Sequence, residues 1–101
     1  MRLTPTQVDT IRDTARRCFG QGADVLLFGS RVDDTRRGGD IDLCIETDLD
    51  TPEASWDAER RFLGALYMAL GEQKIDVVVK RRGDQRQLPI FKVARAQGVH
   101  L

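Results

Sequence analysis

The sequence predicts an α+β domain, a mixed β-sheet with helices packed on one face. Three observations lead there. Residues 23–28, residues 41–45 and the run "KIDVVVK" are short, apolar and bounded by turn residues, the pattern of buried strands. A link of hairpin length joins the first two runs, while a helical segment crosses over before the third, so antiparallel and parallel pairings should coexist. The 101 residues are long enough for one hydrophobic core and too short for a second, so the expectation is one domain over residues 1–101.

Each element carries its own local signal. In "TPTQVDTIRDTARRCFGQG", Thr4 is the N-cap, Pro5 takes the first helical position and Gln7 closes a capping box. Val8, Ile11, Ala15, Cys18 and Phe19 form the apolar stripe of this helix, and Gly20 or Gly22 supplies its stop. "TPEASWDAERRFLGALYMALG" repeats the grammar: Thr51 caps, Pro52 opens the first turn, Gly71 stops, and Phe62, Leu63, Leu66, Tyr67 and Leu70 make an apolar face. After the third strand, "RRGDQRQ" is a charged loop and "LPIFKVARAQG" a short helix ending near Gly98. Residues 99–101 are too few to decide whether an edge strand follows.

Composition excludes several functions. Acidic and basic side chains number 16 each, so no net field draws the chain to nucleic acid or to an anionic membrane, and direct DNA binding is not expected. No apolar run approaches the roughly 20 residues that span a bilayer, and the N-terminus lacks a signal-peptide pattern, which makes a cytoplasmic protein the expectation. Cys18 and Cys44 form no CxxC pair and read as small core residues. His100 has no neighbouring ligand partner in sequence, Trp56 and Tyr67 read as packing residues on their helix, and the basic run over residues 80–86 reads as a solvated loop that could meet an acidic partner or RNA.

The chemistry lies in the carboxylates. Side chains alternate along a strand, so Asp40, Asp42, Cys44 and Glu46 point one way while Ile41, Leu43 and Ile45 point into the core. Asp40 and Asp42 then share a face with α-carbons about 7 Å apart. Two ionised carboxylates about 5 Å apart repel by roughly 3 kcal/mol at an effective dielectric of about 20. A divalent cation removes that repulsion, and all-oxygen ligands select a hard ion such as magnesium or manganese. The alternation in "KIDVVVK" puts Asp76 on the same face, and with the third strand beside the second the three carboxylates gather, enough for two metal ions in a phosphoryl or nucleotidyl transfer site. Ordinary solvent-facing alternation also explains Asp40 and Asp42; an aspartate in the middle of an otherwise apolar strand favours the metal reading. Asp76 would serve as general base or hold the metal that activates the attacking hydroxyl.

The loop before Asp40 adds a phosphate-binding pattern. Gly29 and Ser30 follow the first strand directly, where backbone can approach a phosphate and a hydroxyl can donate to it. Arg31, Arg36 and Arg37 supply forked donors suited to phosphate, or are balanced by Asp33 and Asp34 in a solvated loop.

Taken together, Gly29-Ser30, then Asp40-Ile41-Asp42-Leu43, then Asp76 in a following strand, resemble the signature of the DNA polymerase β nucleotidyltransferase superfamily, and the short chain is similar to its minimal nucleotidyltransferase (MNT) branch. The resemblance implies that Gly29 and Ser30 hold the triphosphate, ATP being the expected substrate. It also implies that Asp40 and Asp42 bind two Mg2+ ions and that Asp76 completes the site. Where many relatives carry arginine and glycine after the serine, this chain has "GSRVDD", leaving Arg36 or Arg37 to compensate. MNT proteins often pair with an all-helical HEPN ribonuclease toxin, and some adenylylate a tyrosine on it. The implied function is therefore transfer of AMP from ATP to a hydroxyl of such a toxin. The alternatives are an antitoxin that neutralises its partner by binding alone and, third, transfer to a small molecule.

Overall fold

The computed structural model describes residues 3–29, 40–71, 73–83 and 88–101. The chain begins with helix α1, Pro5–Phe19, and the expected capping box is formed: the Thr4 hydroxyl accepts from the Gln7 N–H (3.1 Å) and the Gln7 side chain accepts from the Thr4 N–H (2.9 Å). Gly20, with φ of 108°, ends the helix and returns its N–H to the Arg16 carbonyl. Strand β1, Asp24–Phe28, and strand β2, Ile41–Thr47, pair antiparallel. Helix α2, Pro52–Leu70, starts at the Thr51 cap, whose hydroxyl accepts from the Ala54 N–H (3.1 Å), and stops at Gly71. Strand β3, Ile75–Arg81, lies parallel to β2, as a helical crossover requires. Helix α3, Pro89–Gln97, leads into strand β4, Val99–His100, which pairs antiparallel with β1. The sheet order is β3-β2-β1-β4, a mixed sheet in an α+β fold.

The main core lies between the sheet and the first two helices. Ile11, Ala15 and Phe19 of α1, Ala58, Phe62 and Leu66 of α2, and Val25, Leu27, Ile41, Leu43, Ile45 and Ile75 of the strands form one buried cluster. Phe19 and Phe62 meet edge to face, with ring centroids 5.5 Å apart. Burying one such side chain stabilises the fold by roughly 1.5–3 kcal/mol. Buried Thr47 ties two elements together, its hydroxyl donating to the Phe19 carbonyl at the end of α1 (2.8 Å).

Two expectations are corrected. Helices α1 and α2 share one face as predicted, but α3 packs on the opposite face, where Phe91 and Ala94 cover Phe28 and Cys44 with Leu26 and Val78 alongside. Strand β1 is apolar on both faces, so a second cover is required to keep Leu26 and Phe28 from water. Trp56 and Tyr67 are exposed rather than packed. The stripe Ala58, Phe62, Leu66 sets the buried side of α2, and Trp56 and Tyr67 lie off it by helical rotation. Trp56 instead carries the Arg60 guanidinium over its ring, 5.2 Å from the centroid. Cys44 is buried and Cys18 half-buried against the core, as expected. Among the described residues no helix is long and apolar enough to cross a membrane.

One end of the sheet is held by a polar staple. Just past β3, the Arg82 guanidinium donates to the Gly22 carbonyl (2.8 Å) and the Asp24 carboxylate (2.6 Å) and reaches Asp48 (3.1 Å), so it spans the start of β1 and the loop after β2. His100 Nε2 approaches the other Asp24 oxygen at 3.1 Å. These partners, His100 first and then Arg82, hold the Asp24 carboxyl below its ordinary value of 3.8. A carboxyl lowered in the folded state stabilises the fold fully above its ordinary value and loses that contribution as pH falls through the lowered one. The groups are solvent-exposed, so the effect stays below about 1 kcal/mol. Asp24→Asn is therefore expected to unfold at slightly lower urea concentration than the wild type near neutral pH. The gap should close as pH falls below 3.8, checked by urea titrations across pH.

Candidate active site

At the other end of the sheet the strand register collects acids. Phe28 of β1 faces Asp42 of β2, and Asp42 faces Asp76 of β3 across the parallel pairing. Neighbouring strands lie about 4.8 Å apart, so alternation and register put the Asp42 and Asp76 side chains side by side on the α3 face of the sheet. Asp40 precedes β2 by one residue, where the Ile41 N–H donates to the Lys74 carbonyl (2.9 Å) and fixes the start of the ladder.

The electrostatics follow from this crowding. Burial pushes the Asp42 carboxyl above its ordinary value of 3.8; the negative charges of Asp76 and Asp40 push the same way, Lys74 opposes them, and a hydrogen bond with Asp76 adds a further upward push. Lys74 Nζ stands 3.7 Å from Asp40 Oδ2, a cation among the acids that the sequence reading passed over. Its signal was present in the alternation of "KIDVVVK", which puts Lys74 on the face of Asp76.

Gly29 completes this end. It follows β1 with φ of 79°, and a β-carbon built there would run into the Asp42 carboxylate, approaching Oδ2 within contact distance and Cγ to 3.1 Å. The glycine is thus required twice, for its backbone conformation and to leave room for Asp42. Ser30, Arg31, Arg36 and Arg37, the other expected phosphate contacts, lie outside the described residues. The α3 cover divides this face of the sheet. Cys44, beneath Phe91 and Ala94, has its thiol pushed up to about 11, mainly by burial and next by the charge of Glu46, and is no nucleophile. Beyond it, Arg95 of α3 pairs with Glu46 (3.1 Å).

The donor set fits a hard divalent cation in its chemistry, with carboxylate oxygens only and mutual repulsion that a cation relieves. It is not a closed cage: among the described residues no group of three or more His, Cys, Asp or Glu side chains is already arranged around a common metal position. Asp42 and Asp76 adjoin directly, while Asp40 leans toward Lys74. An open groove of about 480 Å³ is lined by Tyr67, Gly71, Gln73 and Lys74.

Gly29→Ala is expected to destabilise the fold by about 1–2 kcal/mol from the backbone conformation alone and more from the displaced Asp42 side chain, read as a lower urea midpoint.

The nucleotidyltransferase domain family matches residues 8–96, a span that includes α2, all three acidic positions and Gly29. No curated protein matches the chain. A mixed four-stranded sheet that carries acids on the facing positions of β2 and β3 beside a glycine turn agrees with that match, and the chain belongs to the nucleotidyltransferase domain family.

Proposed function

We propose that the protein is a magnesium-dependent nucleotidyltransferase that moves AMP from ATP to a hydroxyl, a tyrosine of a HEPN-type toxin, and thereby acts as an antitoxin. The observation that carries the transferase reading is the register pairing of Asp42 with Asp76, where burial first and then the charges of Asp76 and Asp40 raise the Asp42 carboxyl and, among the described residues, Lys74 offsets them only in part. The nature of the acceptor rests on the resemblance to the MNT branch.

In this reading Asp40, Asp42 and Asp76 would hold two Mg2+ ions, which when bound supply charge neutralisation on the triphosphate. Gly29 lets backbone approach the phosphates, and Ser30 with Arg31, Arg36 and Arg37 would grip their oxygens. Asp42 lies between Gly29 on the β1 side and Asp76 on the β3 side, so the phosphates and the acceptor would arrive from opposite flanks. In-line displacement needs that arrangement, because the acceptor oxygen must form its bond to the α-phosphorus opposite the bond to pyrophosphate that breaks. Asp76 would take the acceptor proton. Lys74, beside Asp40, keeps part of the acidic charge balanced before substrate binds.

The test is to mix the chain with the protein encoded next to it, ATP and Mg2+, and to weigh that protein by mass spectrometry. An added AMP on a tyrosine supports the reading. An unmodified but silenced partner favours neutralisation by binding alone. Asp42→Asn should lower transfer by at least about a hundredfold while keeping a melting temperature at or above that of the wild type, since the amide removes the repulsion. Full activity in this variant would end the metal-site reading.

A further inference from the structure

Strand β3 is the outer edge of the sheet: it pairs with β2, and among the described residues no strand pairs with its other side. The hydrogen-bond pattern fixes which backbone groups face outward. With Ile41 opposite Ile75 and the Ile41 N–H donating to the Lys74 carbonyl, the parallel ladder alternates so that Asp76, Val78 and Lys80 turn their backbone groups toward β2. Ile75, Val77 and Val79 turn theirs away from it, leaving a ladder half-made along a strand of seven residues.

The order Asp76-Val77-Val78-Val79-Lys80 is complementary to itself when reversed about Val78. An antiparallel pairing of two copies centred there sets Val77 against Val79, each with outward backbone groups, which makes them a hydrogen-bonded pair. It sets Asp76 against Lys80 on both sides of the twofold axis, as a closely spaced pair on the α3 face. A register centred on Val77 would instead set Lys74 against Lys80, and one centred on Val79 would leave Lys80 opposite Val78 and set Asp76 opposite Arg82, whose guanidinium is already held by Asp24 and Asp48. An edge lysine commonly repels strand addition; an aspartate four residues before it gives that lysine a partner in a second copy.

The geometry points to a symmetric dimer formed by antiparallel pairing of β3 with β3 of a second copy about Val78, which sets Lys80 of each copy beside Asp76 of the other. The pairing is isologous, so it closes at two chains. A single strand pair buries little surface, which makes the dimer reversible and dependent on concentration. Each copy thereby contributes a cation to the rim of the other's acidic site. In the single chain, Lys80 rests over the Phe91 ring at 5.9 Å, on that same face.

Sedimentation equilibrium over a range of protein concentrations tests this, and its readout does not depend on any transfer activity. The wild-type chain is expected to dimerise reversibly. Val79→Pro removes an outward N–H without touching the β2 ladder and should be monomeric with an unchanged circular dichroism spectrum. Lys80→Glu, which does not threaten the ladder at all, should weaken association by about tenfold. Lys80→Asp alone should weaken it likewise, and the double exchange Asp76→Lys with Lys80→Asp should restore it. A wild-type chain that stays monomeric at every concentration, or a dimer that Lys80→Glu and the folded Val79→Pro chain leave intact, overturns the proposal.

Discussion

The parallel pairing of β2 with β3 is the constraint on which the site depends. Its register sets Asp42 opposite Asp76, and the alternation of both strands then directs the two carboxyls to one face while Ile41, Leu43, Ile45 and Ile75 enter the core. A slip of one residue would turn Asp76 into the core and Val77 outward, at a cost in buried apolar surface and unpaired charge that the fold could not absorb. The hydrophobic core therefore fixes the polar site. Helix α2 contributes by joining the two strands in parallel and by seating Phe62 and Leu66 against them.

The two ends of the sheet solve opposite electrostatic problems. At one, Arg82 neutralises Asp24 and Asp48 and closes the strand ends with charge-assisted hydrogen bonds, so the acid there is lowered. At the other, among the described residues, three acids meet one lysine, and Asp42 is raised, by burial first and then by its acidic neighbours. A cluster of acids whose charge is only partly balanced is a common feature of sites that a ligand completes. The same contrast separates the Asp24 cluster, whose charges are matched by their partners, from the Asp42 cluster, which we propose as the metal site.

Much of this was legible in the sequence where the controlling interactions are local or periodic. Thr4 with Gln7 and Thr51 with Pro52 announced two helix starts because caps are made within three or four residues. Two-residue alternation put Asp40, Asp42 and Asp76 on one face without any knowledge of the sheet order. The placement of α3 was not legible, since it depends on which face of the sheet remains apolar after α1 and α2 are seated. Leu26, Phe28 and Val78 held that information, but only once read across three strands together. Trp56 and Tyr67 misled because aromatic character was weighed above the angular position that Ala58, Phe62 and Leu66 define. The requirement for glycine at position 29 likewise arises from a contact across strands, with Asp42, that no stretch of the sequence displays by itself.

Binding of a paramagnetic hard cation tests the central claim most directly. Titrating Mn2+ into the isotopically labelled chain and following amide line broadening locates the ion without any assumption about substrate. Broadening centred on Asp40, Asp42 and Asp76, extending to Gly29 and competed away by Mg2+, is the predicted result. Broadening centred on Asp24 and Asp48, or none above the background of a dilute paramagnet, would contradict it.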